Sequence, residues 1–335
     1  MEICMSRWME SVITDDADPT EILYPGTHNS ATREVSTIVV SAWAKCQEYT
    51  VEQQLHLGVR MLDLRVADDH GDGGEIWVTH WVHACPCLAV LESVCRFLNS
   101  FKSEIVVLRI ERDSDRKLSN AGLQKLVHLL QAEFDDLVVP AHRLDQDNPK
   151  RYNVGRLRIK NRRLILVTRD SFYEELVKKY QRSKEVQWLL QHLTRAMASW
   201  SWTRGRKASI VHDRISKFLC DTHTLNKIRE KAFLVLEAII THEADAIAKH
   251  PFSSIQKANS CVHKEWMPKI LDQVKLCPYV NAITCDFVNS DFCKAIVHIN
   301  RQRMKEQHKE ESQRLDEFHA WQQAGRPSKS IGTQV

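Results

Sequence analysis

The 335-residue sequence contains no run of about 18 consecutive apolar residues, so it offers no helix able to span a bilayer. Its opening residues, Met1 to Trp8, lack the basic start and apolar stretch of a secretory leader. Ten cysteines are present but no Cys-x-x-Cys pair, which sets aside a zinc ribbon. Cys85 and Cys87 stand one residue apart and the rest are scattered, several in apolar stretches, so no disulfide framework is indicated. One-signed charge is missing too: 47 Lys and Arg face 43 Asp and Glu, too slight an excess to argue for nucleic acid. Such a chain is compatible with the anionic face of a cytoplasmic membrane. These absences leave an intracellular protein, cytoplasmic or peripheral to a membrane, expected to be a monomer. Cys4 is expected to be an ordinary cysteine rather than an acylation site.

What is there alternates. Short apolar runs at Glu21–Tyr24, Arg60–Val66, Ile76–Thr79, Ile105–Ile110, Leu164–Thr168, Ser209–Val211 and Ala282–Cys285 predict buried strands. Between them, Leu88–Asn99, Asn120–Phe134, Tyr173–Trp200 and Thr222–Ala246 predict helices, the last capped by Asp221. About seven such units with no internal repeat predict an α/β fold, a single distorted (β/α) barrel of the TIM type, closed or nearly closed. It is expected to span residues 21–300, after an N-terminal extension over 1–20. Residues 301–335 are charged and poor in core residues, which predicts a solvated helix and a tail.

In a barrel of this kind the reacting groups lie where strands end, at the carboxyl face. Four strand ends carry reactive types: His28 after the first, Asp63 and Arg65 on the second, His80 on the third, Glu111 on the fourth. Asp63 and Arg65 are two apart and so share one side of their strand. Two imidazoles can take a proton from an attacking hydroxyl and give one to a leaving oxygen. Arginine suits the charge that develops on phosphorus oxygens, because its fork stays protonated and binds two oxygens at once. In a chain with sixteen histidines, however, a given one is by default a surface or satisfied residue, and Asp63 and Arg65 alone could be an internal ion pair.

The wider context is more specific. Gly26-Thr27-His28-Asn29-Ser30, Gln47-Glu48-Tyr49, the stretch Gln54 to Arg65, Val78-Thr79-His80, Leu91 to Leu98 and Ser103 to Glu111 resemble, in that order, the X-box region of phosphatidylinositol-specific phospholipases C. Thinner likeness follows at Arg163–Arg169, Val211–Arg214 and Cys285–Asn289. The resemblance is strongest to the small bacterial enzymes and the trypanosome enzyme that cleaves glycosyl-phosphatidylinositol, which need no calcium. It implies that His28 is the general base on the inositol 2-hydroxyl and His80 the acid on the diacylglycerol oxygen. Arg65 would then bind the phosphate, Asp286 orient His28, and Arg169 and Asp213 hold inositol hydroxyls. The products would be diacylglycerol and inositol 1,2-cyclic phosphate.

By the same resemblance Arg65 stands where calcium-dependent relatives carry a ligand carboxylate, which implies no metal cofactor. Asn29, Asp63 and Glu111 nevertheless keep oxygen donors of the metal-dependent type. Asn29 also replaces the carboxylate expected to support His80, leaving Asp63 as its substitute. His83 is a rival for the acid role. Ile215 stands where the family stacks an aromatic on inositol, which implies that stacking is lost or supplied elsewhere, with Trp200 and Trp202 as candidates. Ile38, Val39 and Trp43 read as a short helix with an exposed tryptophan, expected to contact a phosphatidylinositol-containing membrane. Basic clusters at 151–163 and 204–207 could add attraction to anionic lipid. Two other readings remain. A metal-dependent glycerophosphodiesterase would need a carboxylate cluster that Arg65 opposes; a non-catalytic headgroup-binding barrel would have no use for two histidines.

Overall fold

The computed structural model describes residues 2–35, 41–68, 74–113, 116–145, 147–180, 182–198, 208–221, 233–240 and 254–323. Its strands are β1 (Tyr24–Thr27), β2 (Met61–Asp68), β3 (Ile76–His80), β4 (Val82–Pro86), β5 (Val106–Arg112), β6 (Leu164–Arg169), β7 (Leu193–Ala198), β8 (Phe233–Glu237) and β9 (Ala282–Cys285). They run in the order β1-β9-β8-β7-β6-β5-β2-β3-β4, and β1 also pairs with β2. The seven strands other than β3 and β4 are parallel and close into a barrel wrapped by helices, as the alternation predicts. Closure between β1 and β2 rests on Gly26 opposite Met61 and Thr27 opposite Leu62. A side chain at Gly26 would meet Ile283 O and Thr284 Cγ2 at 2.9 Å, so only glycine lets β1 and β9 approach this closely.

Two strands lie where the sequence predicts helix. β7 follows the helix Lys184–His192 with no Gly or Pro between them, and β8 holds a single β-branched residue, Val235, so neither announces itself. The expected strand Ser209–Val211 is instead the start of the helix Ala208–Cys220, which buries Val211 and Ile215 one turn apart. A third difference has functional weight. β3 is antiparallel to β2, with Val66 opposite Val78, and forms a hairpin with β4 outside the barrel wall.

Alternation along the strands sorts the barrel interior into layers. Tyr24, Met61, Val107, Val167, Val235 and Ala282 form an apolar cluster with Trp8, Met9, Val12 and Ile13. The short helix Trp8–Val12 thereby plugs the amino end of the barrel, burying Trp8, Met9 and Val12 while Glu10 and Ser11 stay exposed. Two residues further along the same strands stand Asp63, Arg109, Arg169, Glu237 and Thr284, a polar layer toward the mouth. A second apolar cluster, with Leu62, Leu64, Leu108, Leu166 and Leu236, joins the outer faces of the strands to the helices. Among the described residues no helix is long and apolar enough to cross a membrane.

Candidate active site

The polar layer is fixed by register. Asp63 lies directly opposite Arg109, and Arg65 opposite Glu111. Asp63 Oδ1 accepts from Arg109 Nε at 2.9 Å with both side chains fully buried. Arg109 also lies 2.9 Å from Glu237, which takes a hydrogen bond from Arg169 at 2.9 Å. Glu111 accepts from the Arg169 backbone N–H at 2.8 Å. Burial alone would raise the Asp63 carboxyl, but Arg109, Arg65 and His28 outweigh it and hold Asp63 well below the usual range. Glu237 is lowered likewise: Arg109 and Arg169 outweigh its burial. At Glu111 burial prevails over Arg169 and Arg109, and its carboxyl is raised.

His28 sits at the end of β1, 8% exposed. Its Nδ1 is 2.8 Å from Asp286 Oδ1, just past β9, and its Nε2 is 3.4 Å from an Arg65 terminal nitrogen. Gln47 fixes the loop by donating to the carbonyls of His28 and Cys285, and Asn259 holds the second oxygen of Asp286 at 3.1 Å. His80 reaches the mouth from the other direction. Because β3 runs back along β2, its last residue returns to the level of His28, and the two rings stand edge to face with centroids 6.2 Å apart. His80 Nδ1 is 2.8 Å from the Ala44 carbonyl and 3.6 Å from Cys46 Sγ. Burial, reinforced by the positive charges of His28 and Arg65, pushes its pKa down to about 4.

Left-handed backbone marks the same three points. Asn29, Trp81 and Phe287, each with φ between 45° and 63°, directly follow His28, His80 and Asp286. For Trp and Phe this conformation costs on the order of 1–2 kcal/mol, strain of the kind that gathers at working sites. Arg65 Nε is buried with no hydrogen-bond partner among the described residues, as is Asn29 Oδ1. An unmatched guanidinium donor beside two imidazoles fits an anionic ligand.

Several expected residues are elsewhere. Asp213 lies on the outer helix Ala208–Cys220, its side chain 65% exposed beside His212, and is not brought to the mouth. Glu237, hidden in a stretch read as helix, supplies the carboxylate on that side. Asp63 does not support His80; Ala44 and Cys46 do, and neither belongs to a periodic pattern that could have pointed to it. His83 stacks on Trp77 and bonds Arg116, so it is engaged on the hairpin. Trp43 is 5% exposed, packed with Cys46 and Ile255, because its helix folds beneath the His80 hairpin. The expectation of an exposed tryptophan is thereby corrected. Ile38, Val39, Trp200 and Trp202 lie outside the described residues. The oxygen donors do not fit calcium, which wants six or more free oxygens: Asp63 is taken by Arg109 and the Asn29 N–H, and Glu111 by Arg169.

Fold and site together define a parallel (β/α) barrel whose mouth sets two imidazoles around an arginine, on a base of paired arginines and carboxylates. Residues 23–168 match the family described as phosphatidylinositol-specific phospholipase C, X domain. It is 23% identical over 329 residues to PI-PLC X domain-containing protein 2 of Mus musculus, covering 89% of this chain and 88% of that one. It is 37% identical over 86 residues to the variant-surface-glycoprotein phospholipase C of Trypanosoma cruzi, 24% of this chain and 23% of the other. Among solved structures, the phosphatidylinositol-specific phospholipase C of Listeria monocytogenes shares the fold with a TM-score of 0.62 at 13% identity, over 89% of this chain and 99% of that one. The enzyme of S. aureus does so with a TM-score of 0.60 at 16% identity, over 89% and 98%.

Proposed function

We propose that this protein is a phospholipase C that cleaves phosphatidylinositol, free or in a glycosylated anchor, by attack of the inositol 2-hydroxyl on phosphorus. His28 Nε2 takes the hydroxyl proton, while Asp286 fixes the ring and favours the imidazolium that forms. The 2-oxygen forms its bond to phosphorus as the bond to the glycerol oxygen breaks. Arg65 binds the non-bridging oxygens, and His80 delivers a proton to the departing diacylglycerol. Inositol 1,2-cyclic phosphate remains. Asn29 and Glu111 border the ring, Arg169 is held by Glu237 at a position able to meet inositol hydroxyls, and Asp63 acts indirectly by fixing Arg109 and the His28 loop. No step uses a metal.

The observation that carries this reading is the placement of one arginine against an imidazole that a buried carboxylate orients, with a second imidazole facing the first. His80 is neutral in the free protein at pH 7. An anionic phosphodiester on Arg65 would offset the positive field and let His80 take up the proton it must deliver. The substrate thus charges its own acid. Phosphorus NMR of the products from defined lipid vesicles, with and without chelator, tests the proposal. Cyclic inositol phosphate without added metal is the expected product. Vesicle binding with no turnover would overturn it in favour of a headgroup-binding barrel.

A further inference from the structure

We propose that His28, Cys46 and Asp286 form an inhibitory binding site for a zinc-like divalent ion. One ligand atom from each, a ring nitrogen, Sγ and a carboxylate oxygen, lies within 4.8 Å of the other two, and all three residues are buried. Among the described residues this is the one such grouping of three. Tetrahedral zinc, with bonds of about 2.0–2.3 Å, holds its ligand atoms roughly 3.3–3.8 Å apart. No pair therefore needs to close by more than about 1.5 Å, and His28 Nδ1 and Asp286 Oδ1, now 2.8 Å apart, would open by about 0.5 Å if both bind. A thiolate, an imidazole and one carboxylate suit zinc, whereas calcium and magnesium want oxygens throughout. Three protein ligands leave a fourth position for water.

The ligands are also supported from behind, as working metal ligands are. Asn259 holds the free oxygen of Asp286 at 3.1 Å, and Asn29 Nδ2 points at Cys46 Sγ from 3.6 Å. His80 stands 3.6 Å from the same sulfur. Binding would release the Cys46 proton to solvent and displace the proton shared between His28 and Asp286. A metal on either nitrogen of His28 leaves that ring without the lone pair that accepts the substrate proton. The inhibition rests on the proposed function; the binding does not.

The two are therefore measured separately on the full chain. Metal-free protein titrated with Co²⁺ should take up one ion per chain at this site and develop a thiolate-to-cobalt charge-transfer band, reversed by Zn²⁺. Cys46→Ser should remove the band and weaken zinc binding at least about tenfold, the low end of what loss of a mere supporting contact costs. Thermal melting of that variant checks that it folds. Zn²⁺ should inhibit phosphatidylinositol cleavage at the concentration where it displaces Co²⁺, with the variant resistant relative to its own activity. Equal zinc affinity in wild type and variant, or no band in the wild type, would overturn the site. Should Cys46→Ser not fold, Cys46→Ala takes its place in the titration, because nine other cysteines could give a band of their own. A bound ion without any lipid turnover, metal-free or not, would leave the site standing and sink the proposed activity instead.

Discussion

His28 and His80 face one another across the mouth but are held in opposite ways. His28 belongs to the barrel wall: it ends one parallel strand and is tethered to a carboxylate that ends the neighbouring one. His80 arrives on an antiparallel hairpin and rests on a backbone carbonyl and a thiol. The first setting ties the ring to a carboxylate, and the second, by burial, disfavours a positive ring until something negative arrives. Two copies of one side chain thus stand in different surroundings before any ligand binds.

The comparison can be broken most severely at the rings themselves. His28→Ala and His80→Ala should each lower turnover by about 100- to 10,000-fold with the fold intact, read by product release and circular dichroism. Arg65 is the charge both rings feel. Arg65→Met should cost about 100- to 1,000-fold in kcat, and Arg65→Lys should recover only part, because an ammonium lacks the fork. Asp286→Asn removes the carboxylate that His28 is bonded to and whose charge His80 also feels. It should lower kcat about 100-fold with the fold intact, read by product release and circular dichroism.

The other ring is reached through stability. Its folded-state pKa of about 4 lies below the 6.5 of an unfolded chain, so as pH falls the unfolded chain takes the proton first. The stability His80 contributes is full above pH 6.5 and is lost as pH falls toward 4. The loss is at most about 3 kcal/mol, because part of the ring is exposed. His80→Gln should flatten denaturant midpoints measured between those pH values. An unchanged slope would mean that the ring is not buried as described. The smallest effect expected is none: a calcium chelator should leave turnover unchanged.

Much of this site is legible in the sequence because it stands on strand ends with strong apolar patterning. His28, Asp63, Arg65 and Glu111 are all found by counting along β1, β2 and β5. Arg109 was within reach, since it lies two residues before Glu111 and must share its side. Glu237 was not, because Phe233-Leu234-Val235-Leu236 has no period that separates a buried strand from a buried helix. The supports of His80 were not either. Ala44 and Cys46 act through a carbonyl and a loop thiol, and no residue pattern announces a carbonyl. Trp43 shows the converse failure: amphipathic chemistry suited to a membrane surface serves equally well under a hairpin.

The pairing of β1 with β9 ties the order of synthesis to competence. His28 is made early, but the carboxylate that orients it comes 258 residues later. Beyond it, Asn300 still has to clasp both backbone groups of Leu23 before the first strand is anchored. A growing chain therefore carries His28, Arg65 and His80 long before Asp286 can hold the first of them. Contacts this distant in sequence also form slowly. A ribosome-bound or proteolytically shortened chain lacking β9 would present the X-domain motif with its first histidine untethered.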